Sequence, residues 1–127
     1  MAKEKQHILL VEDDPFLSDI YSTKLENAGF GLSVAYDGED VFKKIEEKIP
    51  ELILLDIVLP KMDGFEVLKK LKADSRFNKI PVILLTNLGQ KEDIDKGMSL
   101  GAQDYLIKAN FIPSEIVEKI KSFLKSN

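Results

Sequence analysis

The chain has 127 residues, 44% of them hydrophobic, which suits one domain with a single sizeable core. Eighteen basic and 22 acidic residues give a net charge of −4 without a basic patch, so neither a nucleic-acid backbone nor an anionic membrane is an expected partner. Cysteine is absent, which excludes disulfides and thiol chemistry, and the apolar runs are far too short to span a membrane.

The opening segment, Met1 to Gln6, is polar and has no apolar stretch of the signal-peptide kind. Frayed residues 1–6 and one cytoplasmic domain over 1–127 are expected. Ile8-Leu9-Leu10-Val11 then reads as a strand buried on both faces. Glu12, Asp13, Asp14 and Pro15 follow, after which Leu17, Ile20, Tyr21, Leu25 and Ala28 recur at helical spacing up to a C-capping Gly29. Leu32 to Ala35 mixes apolar and polar residues and predicts a less buried strand. Asp37 caps a second helix with Val41, Phe42, Ile45 and Ile49 inward, closed by Pro50.

Leu52 to Leu55 is a third strand, ending at Asp56. Asp63 and Glu66 have capping-box spacing at the head of a third helix, whose stripe is Phe65, Leu68 and Leu71. Val82 to Leu85 is a fourth buried strand that stops at Thr86. The helix from about Glu92 to Ser99 has a thin stripe, mainly Ile94 and Met98, and is expected to be the least firmly held. Tyr105 to Ile107 is a short fifth strand before Lys108, and a last helix from about Ser114 turns Ile116, Val117, Ile120, Phe123 and Leu124 inward.

Five alternating strand–helix units predict an α/β fold, a doubly wound five-stranded parallel sheet with helices on both faces. All-apolar strands belong in the centre and the mixed second and short fifth at the edges, which is the flavodoxin-like order 2-1-3-4-5. Ligands of such sheets bind beyond the carboxyl ends of the strands. Asp13, Asp14, Asp56, Thr86 and Lys108 all fall there. Converging carboxylates disfavour one another unless a cation joins them. Mg2+ takes oxygen ligands and commonly bridges carboxylates to phosphate, so Asp13, Asp14, Asp56 and a backbone carbonyl just past Asp56, that of Val58, are its candidate ligands. A carboxylate beside such an ion can also attack phosphorus, with Lys108 and Thr86 stabilising the transferring group.

The segments His7 to Asp14, Leu52 to Asp56, Leu59 to Gly64, Leu85-Thr86 and Ile107-Lys108 resemble the receiver domains of two-component response regulators, in order and spacing and over nearly the whole chain. The resemblance implies that Asp56 is the phosphoacceptor, that Asp13 and Asp14 are the acidic Mg2+ pair, and that Thr86 and Lys108 contact the phosphoryl group. Tyr105 matches the aromatic that swings inward when Thr86 is drawn to the phosphate. It implies a phosphohistidine donor on a sensor histidine kinase or a histidine phosphotransfer protein. The domain would promote its own phosphorylation and dephosphorylation and act as a switch on the fourth helix, fifth strand and fifth helix, as a monomer or a phosphorylation-dependent dimer.

Two positions depart from the family pattern. Ala109 stands where proline usually follows the active-site lysine. A cis bond before alanine costs about 2.5–4 kcal/mol, against about 0.5–1 before proline, so a trans bond and an altered loop from Ala109 to Ile112 are expected. Asn87 stands where a small residue usually follows the threonine. With Val58, which offers water no side-chain hydrogen bond, it predicts slow dephosphorylation. Asp63 reads as a cap, His7 as a bystander on the opposite rim, and Lys119, Lys121 and Lys125 as a solvated face.

A flavin carrier of this fold needs a phosphate-cradling loop after the first strand, where this chain has three acids. No G-x-x-x-x-G-K-[ST] loop is present for a nucleoside triphosphatase. The rival of another class is a constitutive receiver-like scaffold that is never phosphorylated. These 127 residues contain no DNA-binding helix-turn-helix after the fifth helix, and both a stand-alone receiver and one unit of a longer protein are open readings.

Overall fold

The computed structural model describes residues 5–126. Strands β1 (His7–Val11), β2 (Gly31–Ala35), β3 (Leu52–Leu55), β4 (Val82–Thr86) and β5 (Asp104–Ile107) alternate with helices α1 (Pro15–Asn27), α2 (Gly38–Glu47), α3 (Gly64–Ala73), α4 (Lys91–Ser99) and α5 (Pro113–Ser126). All neighbouring strands pair parallel, in the order β2-β1-β3-β4-β5. Every residue of β1, β3 and β4 is buried, whereas the edge strands β2 and β5 are mostly half-buried. The all-apolar strands are therefore central, because both of their faces are covered.

Side-chain alternation divides the core in two. Leu9, Val11, Ile53, Leu55, Val82 and Leu84 pack with the apolar faces of α2 and α3. Ile8, Leu10, Leu52, Leu54, Ile83 and Leu85 pack with α1 and α5.

Local signals set most element ends. Gly29, at φ +98°, follows the α1 cap and closes a Schellman turn: its N–H donates to Glu26 and that of Phe30 donates to Leu25, at 3.0 and 3.1 Å. Asp37 and Asp63 cap α2 and α3 through the N–H groups of Asp40 and Glu66, at 2.8 and 3.0 Å. Two predicted stripes are corrected. Ile49 lies outside α2 and is 59% exposed, because the residue before Pro50 is driven to extended backbone and the helix ends at Glu47. Met98 is largely exposed, and the buried position of α4 is Gly97.

The peptide bond before Ala109 is trans, and Lys108–Asn110 form one 3-10 turn. Of residues 1–6, expected to fray, 1–4 lie outside the described residues, whereas the Gln6 carbonyl accepts from the Gly31 N–H at 2.9 Å. Among the described residues no helix is long and apolar enough to cross a membrane.

His7 is buried at the amino end of β1, on the rim opposite Asp56, with Nε2 2.7 Å from Ser33 Oγ. Burial, and then the nearby Lys48 charge, lower its pKa, against an opposing effect of Glu51. The unfolded chain thus takes up the proton more readily. The stability this adds is complete above the unfolded pKa of about 6.5 and is lost as pH falls through the lower folded value. His7→Gln should lose less stability than wild type between pH 7 and pH 5 in urea titrations. Equal losses in the two proteins would refute this role.

Candidate active site

The carboxyl ends of β1, β3, β4 and β5 bring Glu12, Asp13, Asp14, Asp56, Val58, Thr86, Asn87 and Lys108 to one open cleft of about 360 Å³. Glu12 is still held in the sheet, its N–H donating to the Ala35 carbonyl at 3.1 Å, and Asp56 is likewise anchored to Val11 at 3.1 Å. Alternation points Glu12, Asp56 and Lys108 to the side of α1 and α5.

Asp56 is 5% exposed. Its Oδ1 accepts from the N–H groups of Ile57 and Val58, at 2.7 and 3.3 Å, and its Oδ2 accepts from Lys108 Nζ at 2.7 Å. Lys108 Nζ also donates to Glu12 Oε1 at 2.5 Å, and Glu12 Oε2 accepts from the Asp14 N–H at 3.2 Å. One ammonium therefore serves two buried carboxylates. Burial pushes the Glu12 pKa up, opposed first by the Lys108 hydrogen bond. Burial likewise works against the Lys108 charge, but the hydrogen bonds to Asp56 and Glu12 outweigh it and leave its pKa raised.

Carboxylate oxygens of Glu12, Asp13 and Asp56 lie within 4.8 Å of one another. The cluster differs from the expected trio of Asp13, Asp14 and Asp56. Asp14 turns its Oδ1 to the N–H groups of Phe16 and Leu17, at 2.9 and 3.4 Å, as the N-cap of α1. Glu12 takes its place in the cluster. The readable signal was Asp14-Pro15: an acidic residue before proline is the ordinary start of a helix, with proline at N1. An all-oxygen cluster of three carboxylates fits a hard divalent cation.

Thr86 is fully buried at the end of β4, where its Oγ1 accepts from the Leu88 N–H at 3.4 Å. Tyr105, facing α4, is half-buried, and its hydroxyl donates to the Leu88 carbonyl at 2.5 Å. Burial, with smaller effects of Asp93 and Asp56, raises the Tyr105 pKa to about 12. The ring is therefore inward in this structure. Asn87 and Val58 are exposed on the cleft wall, Val58 at 60%.

A family profile described as the response regulator receiver domain matches residues 8–121. The chain belongs to this family. It is 42% identical over 118 residues to the DNA-binding dual master transcriptional regulator RpaA of Synechocystis, covering 93% of this chain and 48% of that protein. It thus spans about half the length of the curated relatives it matches. A CheY-like receiver domain protein from Methanospirillum hungatei superposes with a TM-score of 0.87 at 30% identity, over 97% of this chain and 96% of that one. The response regulator Rcp1, in its Mn2+-bound form, superposes with a TM-score of 0.84 at 31% identity, over 94% of each chain.

Removing the shared ammonium leaves Glu12 and Asp56 buried without a counter-charge. Lys108→Met should therefore cost roughly 3 kcal/mol of unfolding free energy, the range for breaking a buried pair from one side. Lys125→Met, exposed on α5, should change stability by less than about 0.5 kcal/mol. Equal effects in chemical denaturation would mean that the Lys108 bridge is unimportant to the receiver fold.

Proposed function

We propose that this receiver takes a phosphoryl group on Asp56 from a phosphohistidine of a sensor histidine kinase or histidine phosphotransfer protein, in a Mg2+-dependent reaction. The observation that carries the reading is the setting of Asp56: a buried carboxylate opening on a cleft, oriented by two backbone N–H groups and paired with Lys108. A carboxylate oxygen of Asp56 bonds to phosphorus while the P–N bond of the donor breaks and its electron pair returns to the imidazole. The Ile57 and Val58 N–H groups keep the carboxylate oriented for in-line attack. Lys108 exchanges Asp56 Oδ2 for a phosphoryl oxygen, and the Thr86 hydroxyl donates to another.

Glu12, Asp13 and Asp56, with the Val58 carbonyl, are the proposed ligands of Mg2+. Bound there, the ion neutralises the carboxylates and the charge of the entering phosphoryl group. The Mn2+-bound form of the similar protein Rcp1 supports a divalent cation. An apolar groove of Leu17, Ile20, Tyr21, Ala109, Phe111 and Pro113 runs from the cleft between α1 and α5 and suits a helix carrying the donor histidine.

The phosphoryl group is proposed to draw Thr86 and Lys108 towards Asp56, with Tyr105 held inward, and so to switch the surface of α4, β5 and α5. The thin attachment of α4 supports this, since only Gly97 of that helix is buried. Asn87 and Val58 narrow the approach of water, so the phosphoryl group is expected to leave slowly.

Mass spectrometry after incubation with acetyl phosphate and Mg2+ tests the chemistry. One phosphoryl adduct is expected in wild type and none in Asp56→Asn, and the adduct should outlast that of Asn87→Ala. No adduct despite Mg2+ binding, with a phosphohistidine donor failing too, would favour the constitutive scaffold.

The ligand assignment has its own test in Mg2+ titrations. Asp13→Ala should lose binding at least tenfold, whereas Asp14→Ala should keep it and instead lose about 1 kcal/mol of stability, the worth of a cap. The reverse pattern would restore Asp14 as the ligand.

A further inference from the structure

Helix α4 meets the sheet at Gly97, its buried residue. A Cβ built on Gly97 would stand 2.6 Å from Leu84 Cδ1 and 3.1 and 3.2 Å from Tyr105 Cδ2 and Cε2. The first distance is closer than carbon atoms pack, so a neighbour must move. Leu84 is fully buried in a central strand. Leu84 Cδ1 must therefore shift, and its register partner Tyr105, half-buried on the edge strand, is the neighbour that can give way to it.

We propose that Gly97 is the positioning residue of Tyr105: the missing side chain leaves the seat in which the ring lies inward, against the α4 backbone. This rests on the reading of Tyr105 as the switch residue. From this seat the phenol donates to the Leu88 carbonyl, and the Leu88 N–H donates to Thr86 Oγ1. Gly97, Tyr105, the β4–α4 loop and Thr86 thus form one run of contacts from the output helix to the cleft. A side chain at 97 tips the ring out, breaks the phenol–carbonyl bond and frees the loop beside Asn87. Residue 97 therefore sets the resting balance between inward and outward Tyr105.

Helix propensity and packing make opposite predictions for Gly97→Ala. Propensity alone stabilises α4, since alanine is the better helix former. The seat predicts a loss, because the methyl group collides with Leu84 Cδ1 and crowds the ring beside it. Thermal unfolding of Gly97→Ala in two backgrounds separates them. The substitution should lower the melting temperature when Tyr105 is present and lower it clearly less, or raise it, in Tyr105→Ala, where Leu84 Cδ1 can move into the space of the ring. An equal change in both backgrounds, loss or rise, overturns the proposal.

Labelling the tyrosine ring ε carbons with 13C reads the ring directly, with the Tyr105 signal assigned by its loss in Tyr105→Phe. A soluble paramagnetic chelate should broaden that signal in Gly97→Ala and spare it in wild type. Equal protection in both proteins also overturns the seat. The same variant should take the phosphoryl group from acetyl phosphate several-fold more slowly. If the ring moves out while labelling of Asp56 keeps its wild-type rate, the seat stands, and the coupling of Tyr105 to phosphorylation is what fails.

Discussion

The ammonium of Lys108 lies between two carboxylates that would otherwise repel each other inside the protein. Glu12 ends β1, Asp56 ends β3, and Lys108 reaches both from the end of β5, passing β4. Parallel strands make this possible, because all their carboxyl ends lie on one rim. The same geometry makes it necessary, since it crowds acids where burial already disfavours their charge. Asp13, exposed at the mouth, adds a third carboxylate that Lys108 does not contact. The cluster therefore carries surplus negative charge, which a divalent cation would relieve.

The sheet divides the labour between its faces. Glu12, Asp56 and Lys108 face α1 and α5, beside a largely apolar groove that includes Leu17, Ile20, Tyr21 and Phe111. Tyr105 faces α4. Leu88 connects the two sides: its N–H is bonded to Thr86 and its carbonyl to Tyr105. A charge change at Asp56 has a short route to the opposite face. Helix α4 buries Gly97 against the sheet and leaves Met98 exposed.

Much of this was legible along the chain. Apolar runs marked the central strands, and mixed composition marked the edges. Asp37 and Asp63 announced helix starts, and Gly29 a helix end. Asp56, Thr86 and Lys108 followed from being the polar residues where apolar runs stop. The acidic run after β1 was ambiguous, because spacing does not say where the strand ends and the helix begins. One further ladder bond keeps Glu12 in the sheet, and capping takes Asp14 away. Gly97 was invisible as a packing residue because apolar patterns record side chains, and its contribution is the lack of one.

The sequence by itself determined the α/β architecture, the strand order and most of the rim chemistry, because burial and turn preferences are local and repeat in a regular pattern. The tertiary structure alone decided which acids share the cleft, that Lys108 bridges two of them, and where Tyr105 rests. Those outcomes depend on distances between segments remote in the chain, set by strand register and by the space that neighbouring side chains leave.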